Sequence, residues 1–309
     1  MTEDLQNAID SLIGSATPSV LKKASDSLSK TYFQGQGSQS IFENESSRLS
    51  YLAARMPATF GAVSAVLSHL PIAPSSWLDL GAGPGTASWA ASSLFPSSTS
   101  FALIEKSPHA IAMGKQLAVG HPLLDKAAWI SASLPIDLPA ADAAILSYSL
   151  GELDRPSAMI ERWWRSSILL LIVVEPGTPR GFSVIRNARE QILSLGGSLI
   201  SPCPHSCRCP LKENDWCHFS VRIARSRLHR YLKGGSLGHE DEKYSYLIAS
   251  KSLIAAPSHS RILRQPQKNS GHVRLSLCKA NGAAEEITVT RSNKKDYRKA
   301  RDASWGDGW

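Results

Sequence analysis

The sequence predicts an α/β fold organised on a doubly wound parallel sheet, and three observations carry that expectation. Over residues 76–255, short apolar runs alternate with stretches of helical periodicity, the pattern of strands joined by crossover helices. Residues 76–91, SWLDLGAGPGTASWAA, pass from a strand (Trp77, Leu78, Leu80) through Gly81, Gly83 and Gly85 into a helix. Residues 101–104 form a second apolar run that ends on Glu105, twenty residues after Gly85, the spacing at which the second strand of such a sheet offers an acid to a ligand.

Ahead of the sheet, residues 1–70 read as a helical extension. Leu5, Ile9, Leu12 and Ile13 recur at helical spacing, residues 18–28 form a second amphipathic segment, and residues 45–70 a longer one that Pro57 is expected to break. Residues 32–40, rich in Gly, Gln and Ser, are expected to form a loop. Strands are expected at 76–80, 100–104, 128–131, 142–148, 168–174, 198–201 and 244–250, within a domain of residues 71–256 that carries a Cys-rich insertion at 201–218. Residues 218–232 place Val221, Ala224, Leu228 and Leu232 on one helical face with Arg222, Arg225, Arg227 and Arg230 around it, so a phosphate-contacting helix is expected there. Residues 257–309 form an appendage. Two alternating segments, 272–278 and 286–291, flank Asn281-Gly282, a β-hairpin signal, and the tail 292–309 interleaves Lys294, Lys295, Arg298, Lys299 and Arg301 with Tyr297, Trp305 and Trp309.

Charge is distributed unevenly. Residues 1–200 carry 14 Lys and Arg against 16 Asp and Glu, whereas residues 201–309 carry 20 against 10. An excess of cations confined to the last third suits a polyanion, with RNA or DNA first among polyanions. The strongest apolar run, 168–174, is seven residues long and ends at Glu175, too short to span a bilayer. The opening MTEDLQNAIDSL lacks both a secretory leader and an Arg-rich presequence. A soluble cytoplasmic monomer is therefore expected, or a mitochondrial matrix protein if the source is eukaryotic.

The glycine loop defines the ligand. Alternate glycines let a ligand approach the main chain, and the helix that follows offers unpaired N–H groups. The spacing is G-x-G-x-G rather than the dinucleotide G-x-G-x-x-G, and Asp79, two residues before Gly81, could hold a ligand ammonium. Glu105 would accept both hydroxyls of a ribose. Together these residues resemble the motifs of Rossmann-like methyltransferases, which bind S-adenosylmethionine. After the fourth and fifth strands come Ser147-Tyr148-Ser149-Leu150-Gly151-Glu152 and Glu175-Pro176-Gly177, where Ser147 and Tyr148 could meet the cofactor and Glu175 could orient an amine.

Five cysteines occur, all after residue 200. Cys203, Cys207, Cys209 and Cys217 fall within fifteen residues between prolines, with Cys278 far downstream. Clustered thiolates are soft donors, and three readings stand open: a 4Fe–4S cluster, a zinc site completed by His205 or His218, or unligated thiols. With DLGAGPGTA, SYSLGEL, EPGTPRGF, the PCPHSCRCP…WC cluster, DEKYSYLIAS and the terminal YRKARDASWGDGW on view, the chain resembles the mitoribosomal small-subunit assembly methyltransferase-like family, from about residue 40 to the end. The resemblance implies a class I methyltransferase sheet, a 4Fe–4S cluster, and association with small-subunit rRNA or a ribosomal assembly intermediate. The family's ligand spacing, C-x5-C-x7-C with a remote fourth cysteine, selects Cys203, Cys209, Cys217 and Cys278 and leaves Cys207 over. It also implies that the hairpin folds back onto the Cys203 loop.

Overall fold

The computed structural model describes residues 1–33, 41–252 and 259–309; the expected loop at 32–40 lies almost entirely outside them. The chain opens with helices α1 (Glu3–Ile13) and α2 (Pro18–Phe33), followed by α3 (Glu45–Ser50) and α4 (Met56–Leu67). Asn44 caps α3 by accepting the Ser47 N–H. Pro57 does not open a gap between these last two helices. A π turn, Tyr51–Arg55, carries the chain straight into α4, whose first turn holds Pro57 where no amide donor is needed.

The main sheet comprises β1 (Ser76–Leu80), β2 (Ser100–Glu105), β3 (Ala128–Ser131), β4 (Ala143–Ser147), β5 (Leu170–Pro176), β6 (Ser198–Ser201), β7 (Phe219–Ala224) and β8 (His239–Ser250). Helices α5 (Thr86–Leu94), α6 (Pro108–Ala118), α7 (Pro156–Arg165), α8 (Pro179–Ser194) and α9 (Arg227–Lys233) connect them. The order is β3-β2-β1-β4-β5-β8-β6, with β7 also paired to β8. The first five strands are parallel, while β8 runs antiparallel to β5, β6 and β7. This is the Rossmann-like class I methyltransferase sheet, and its one departure from a wholly parallel sheet is β8.

Residues 219–224 are a correction to the expected helix at 218–232. Val221 and Ile223 alternate with Arg222, a strand period, and the segment pairs with β8 in the register Arg222↔Asp241 and Ile223↔Glu240. Ion pairs to the neighbouring strand then engage Arg222 (Asp241) and Arg225 (Glu240). The helical periodicity persists only in α9, capped by the Ser226 hydroxyl.

Alternation along the strands sorts their side chains onto two faces. Trp77, Ile145, Ile172 and Val174 pack with the N-terminal helices, α4 and α5. Leu78, Leu80, Leu171 and Val173 pack with α7 and α8 around the fully buried Trp163. Beyond β8 a small second sheet forms from β9 (Arg261–Ile262), β10 (Gln267–Lys268), β11 (His272–Cys278) and β12 (Ala284–Thr290), followed by α10 (Lys294–Asp302). The hairpin runs antiparallel from His272↔Thr290 to Cys278↔Ala284, and Val273, Leu275, Leu277 and Ala300 form its core. Arg264 on this sheet's loop pairs with Asp215 of the Cys-rich segment. The basic tail thus folds as a helix docked on the hairpin.

Candidate functional site

At the carboxyl ends of β1, β2, β4 and β5 lies a cavity of about 1340 Å³, more than the roughly 300–1,000 Å³ of a single-ligand pocket. The glycine loop forms one wall. Gly81 has φ +70°, and a Cβ there would stand 2.8 Å from Ser149 Cβ. Gly85 caps α5 at φ 82°, facing away from the cavity toward Leu103 and Trp129. Both positions sit in the left-handed region that only glycine adopts without strain.

Glu105, at the end of β2, is pinned by two amides: Oε2 accepts the Gly83 N–H at 2.9 Å and Oε1 the Ser107 N–H at 2.8 Å. Each oxygen retains a lone pair for a further donor, so the carboxylate is fixed and still competent to accept. Gly81, Gly83, Glu105 and Ser147 line the cavity together. Ser147 Oγ and Ser50 Oγ, both in this wall, are buried with no hydrogen-bond partner, an arrangement that a polar ligand would satisfy.

Asp79 does not reach the cavity. It is 1 % exposed, and its Oδ2 accepts from Ser88 N at 3.1 Å and Ser88 Oγ at 2.8 Å. Burial, opposed by those bonds, pushes its pKa up to about 7. The side chain therefore tethers α5 behind the glycine loop rather than holding a ligand ammonium. Glu175 does line the cavity; its Oε1 accepts the Gly151 N–H at 3.0 Å, and burial pushes its pKa up to about 7 as well.

A network of cavity residues joins Tyr148, already a candidate, to partners the sequence did not mark. Tyr148, at φ 56°, is the one non-glycine residue at positive φ among the described residues. Its hydroxyl donates to Glu242 Oε1 at 3.1 Å, the Arg55 guanidinium stands 5.2 Å over its ring, and Arg55 pairs with Glu242 at 3.0 Å. Arg55 closes the π turn, which is the only local trace of this network; Glu242 sits 187 residues away. A Cβ at Gly83 would stand 3.7 Å from Phe42 Cζ, so the N-terminal segment reaches over the glycine loop.

The second site is a cavity of about 40 Å³ lined by Cys203, Cys209, Cys217 and Cys278, with Arg189, His205 and Tyr246. The hairpin brings Cys278 at the end of β11 against the Cys203 loop, where His205 Nε2 lies 3.3 Å from Cys278 Sγ. Cys207 is exposed and does not line the cavity. His218 stands outside the lining, stacked on Trp216 and met edge-on by Trp305. Burial raises the Cys203 and Cys217 thiols and pushes Cys278 up to about 12, so each holds its proton at neutral pH. Among the described residues no group of three His, Cys, Asp or Glu side chains meets single-ion ligation geometry. The donor set itself fits a soft metal: four sulfurs face one apolar space, and the buried Nη1 of Arg189 has no acceptor there.

Helix α8 joins the two sites. Arg180, Gly181 and Val184 line the large cavity, while Phe182, Ile185 and Arg189 line the thiol cavity. Trp216, beside Cys217, donates its indole N–H to Gly177 O at 3.1 Å, and Gly177 lines the large cavity.

The human mitochondrial ribosome assembly protein METTL17 is 28 % identical over 297 residues, covering 87 % of this chain and 64 % of that protein. The mitochondrial ribosome assembly protein RSM22 of Saccharomyces cerevisiae is 24 % identical over 240 residues, covering 45 % of this chain and 38 % of its own length. The chain therefore spans less than two thirds of these relatives. Human N-acetylserotonin methyltransferase, solved with S-adenosylmethionine, is 15 % identical with a TM-score of 0.44, over 80 % of this chain and 71 % of that one. The model of the family described as mitochondrial small ribosomal subunit Rsm22 matches residues 45–309, from the first residue of α3 through the glycine loop, the four thiols and the hairpin, and the chain belongs to that family.

Proposed function

We propose that this chain binds S-adenosylmethionine in the large cavity, holds a 4Fe–4S cluster on Cys203, Cys209, Cys217 and Cys278, and acts on small-subunit rRNA during ribosome assembly. The observation that carries the reading is the large cavity itself, where fixed glycines, a doubly pinned acid and unpaired serine hydroxyls converge at the strand ends. Its relatives' roles in ribosome assembly and their mitochondrial location support a small-subunit target in the matrix or its bacterial equivalent. No helix among the described residues is long and apolar enough to cross a membrane.

Bound S-adenosylmethionine supplies an electrophilic methyl group. Glu105 holds the ribose hydroxyls, the backbone of Gly81 and Gly83 admits the nucleoside, and Ser147 donates to or accepts from the amino-acid end. The space beyond a single cofactor leaves room for an acceptor bordered by Tyr148 and Glu175, and Glu175, with a pKa near neutrality, takes the proton an amine or hydroxyl acceptor must lose. The thiol site is structural, tying the hairpin to the main sheet.

Titration calorimetry with S-adenosylmethionine on wild type and on Gly83→Arg tests the cofactor site: saturable heat is expected for the first and its loss for the second. Anaerobic purification tests the cluster, with four iron and four sulfide per chain expected and a zinc-only protein excluding it. Transfer of labelled methyl to small-subunit particles tests turnover. Binding to those particles without incorporation reassigns the protein as an assembly scaffold that retains the cofactor fold.

A further inference from the structure

The four thiols share their surroundings with two buried cations, and neither has an acidic partner among the described residues. Arg189 on α8 is 3 % exposed and Arg261 on β9 is 7 % exposed. Arg189 Nε donates to Cys203 Sγ at 3.4 Å, its Nη2 donates to the carbonyls of His205 and Cys207, and its Nη1 is buried without an acceptor. Arg261 stands opposite Cys278 in the β9–β11 ladder. It donates from Nε to Pro202 O at 3.1 Å, next to Cys203, and from Nη1 to Gly306 O at 2.6 Å. No ion pair among the described residues involves either arginine. The undescribed residues 34–40 and 253–258 contain no Asp or Glu.

A guanidinium removed from water without a counter-ion is strongly unfavourable, because neither hydration nor a carboxylate balances its charge. Here Arg189 lines one small cavity and Arg261 stands beside it, opposite Cys278; the other ionisable side chains of the lining are the thiols, His205, Tyr246 and Arg186, the last of which is already paired with Glu190. The anion that would balance them must come from the sulfurs. Four thiolates on a core of charge +2, whether one zinc ion or an oxidised 4Fe–4S unit, carry a net charge of −2, equal and opposite to the two arginines. The N–H···S bond from Arg189 adds direction to this balance and holds Cys203 Sγ in place.

We propose that Arg189 and Arg261 are the built-in counter-ions of a dianionic metal–tetrathiolate group in this cavity, with Arg189 also positioning Cys203. The proposal rests on the four-thiol reading above and does not depend on which metal is held. Reduction of such a group adds negative charge, so loss of a neighbouring cation disfavours it.

The test uses the full chain, purified and reconstituted anaerobically as wild type, Arg189→Gln, Arg189→Lys, Arg261→Gln and Arg261→Lys. Far-UV circular dichroism confirms that each variant is folded. Gln and Lys both lose the planar hydrogen-bonding fork, but only Lys keeps the charge. Release of metal to excess EDTA is expected to be about tenfold faster or more in each Gln variant, with the Lys variants close to wild type. In an iron-loaded protein the Gln variants should also shift the reduction equilibrium about tenfold toward the oxidised form, a fall of about 59 mV for one electron. A zinc-loaded protein showing the Gln–Lys difference sustains the counter-ion role while removing the iron–sulfur reading. An iron-loaded protein in which Gln and Lys behave alike overturns the counter-ion role and leaves the cluster standing. Wild type that takes up neither iron nor zinc overturns both.

Discussion

Replacing Asp79 by Asn should make stability respond to pH in a defined direction. Asp79 is buried behind the glycine loop, with its Oδ2 bonded to the Ser88 amide and hydroxyl. Burial raises its pKa from the ordinary carboxyl value of 3.8 to about 7. In the unfolded chain the carboxyl ionises near 3.8, so between that pH and 7 the native state binds more protons than the unfolded one, and stability falls as pH rises through the window. A separation of about three units corresponds to roughly 4 kcal/mol as an upper bound. Asn has the same shape and no proton to lose, so this pH-dependent contribution disappears. Urea unfolding of the wild type and the variant at pH 5 and pH 8 measures it. The wild type is expected to lose ground to Asp79→Asn by up to about 2.6 kcal/mol on going from pH 5 to pH 8, the part of the window that lies above pH 5. A stability difference between the two proteins that is the same at both pH values would refute the assignment of a raised pKa to this carboxyl.

Three further outcomes follow from the geometry. Gly81→Ala places a Cβ 2.8 Å from Ser149 Cβ at φ +70° and should cost on the order of 1–3 kcal/mol in urea unfolding, together with most of the cofactor-binding heat. Trp163→Ala, at a fully buried site between α7 and the sheet, should cost about 3–5 kcal/mol by the same assay without changing metal content. Cys278→Ser should lose metal and render residues 259–309 sensitive to limited proteolysis while the main sheet stays protected, whereas Cys207→Ser, at an exposed thiol outside the cavity, should keep its metal; equal loss in both would reject the choice of ligands.

Much of the fold was legible because its signals are local. A strand that breaks into alternate glycines and a helix, as at 76–91, is imposed by backbone sterics within a few residues, and strands β1 to β6 lie within two residues of the segments that apolar runs mark. The error at 219–224 has the same origin. Val221 and Ala224 fit a helical spacing while Val221 and Ile223 fit a strand spacing, and the choice was made by pairing with residues 239–244, information no local window contains. Asp79 was misread for a related reason: its position before the glycines was visible, but the Ser88 amide and hydroxyl that capture it are set by how α5 turns back over β1.

Composition, spacing and periodicity alone determined that this chain would build a glycine loop at a strand end of an α/β sheet and would carry a cysteine loop, since those follow from steric and apolar patterns short enough to read along the chain. Folding alone decided which acid faces the cavity, how Arg55 reaches Glu242 over Tyr148, how β11 carries Cys278 to the other three thiols, and that Arg189 and Arg261 are buried beside them. Each of these is a contact between residues distant in sequence, set by the packing of a whole sheet against its helices rather than by any preference a residue has for its neighbours.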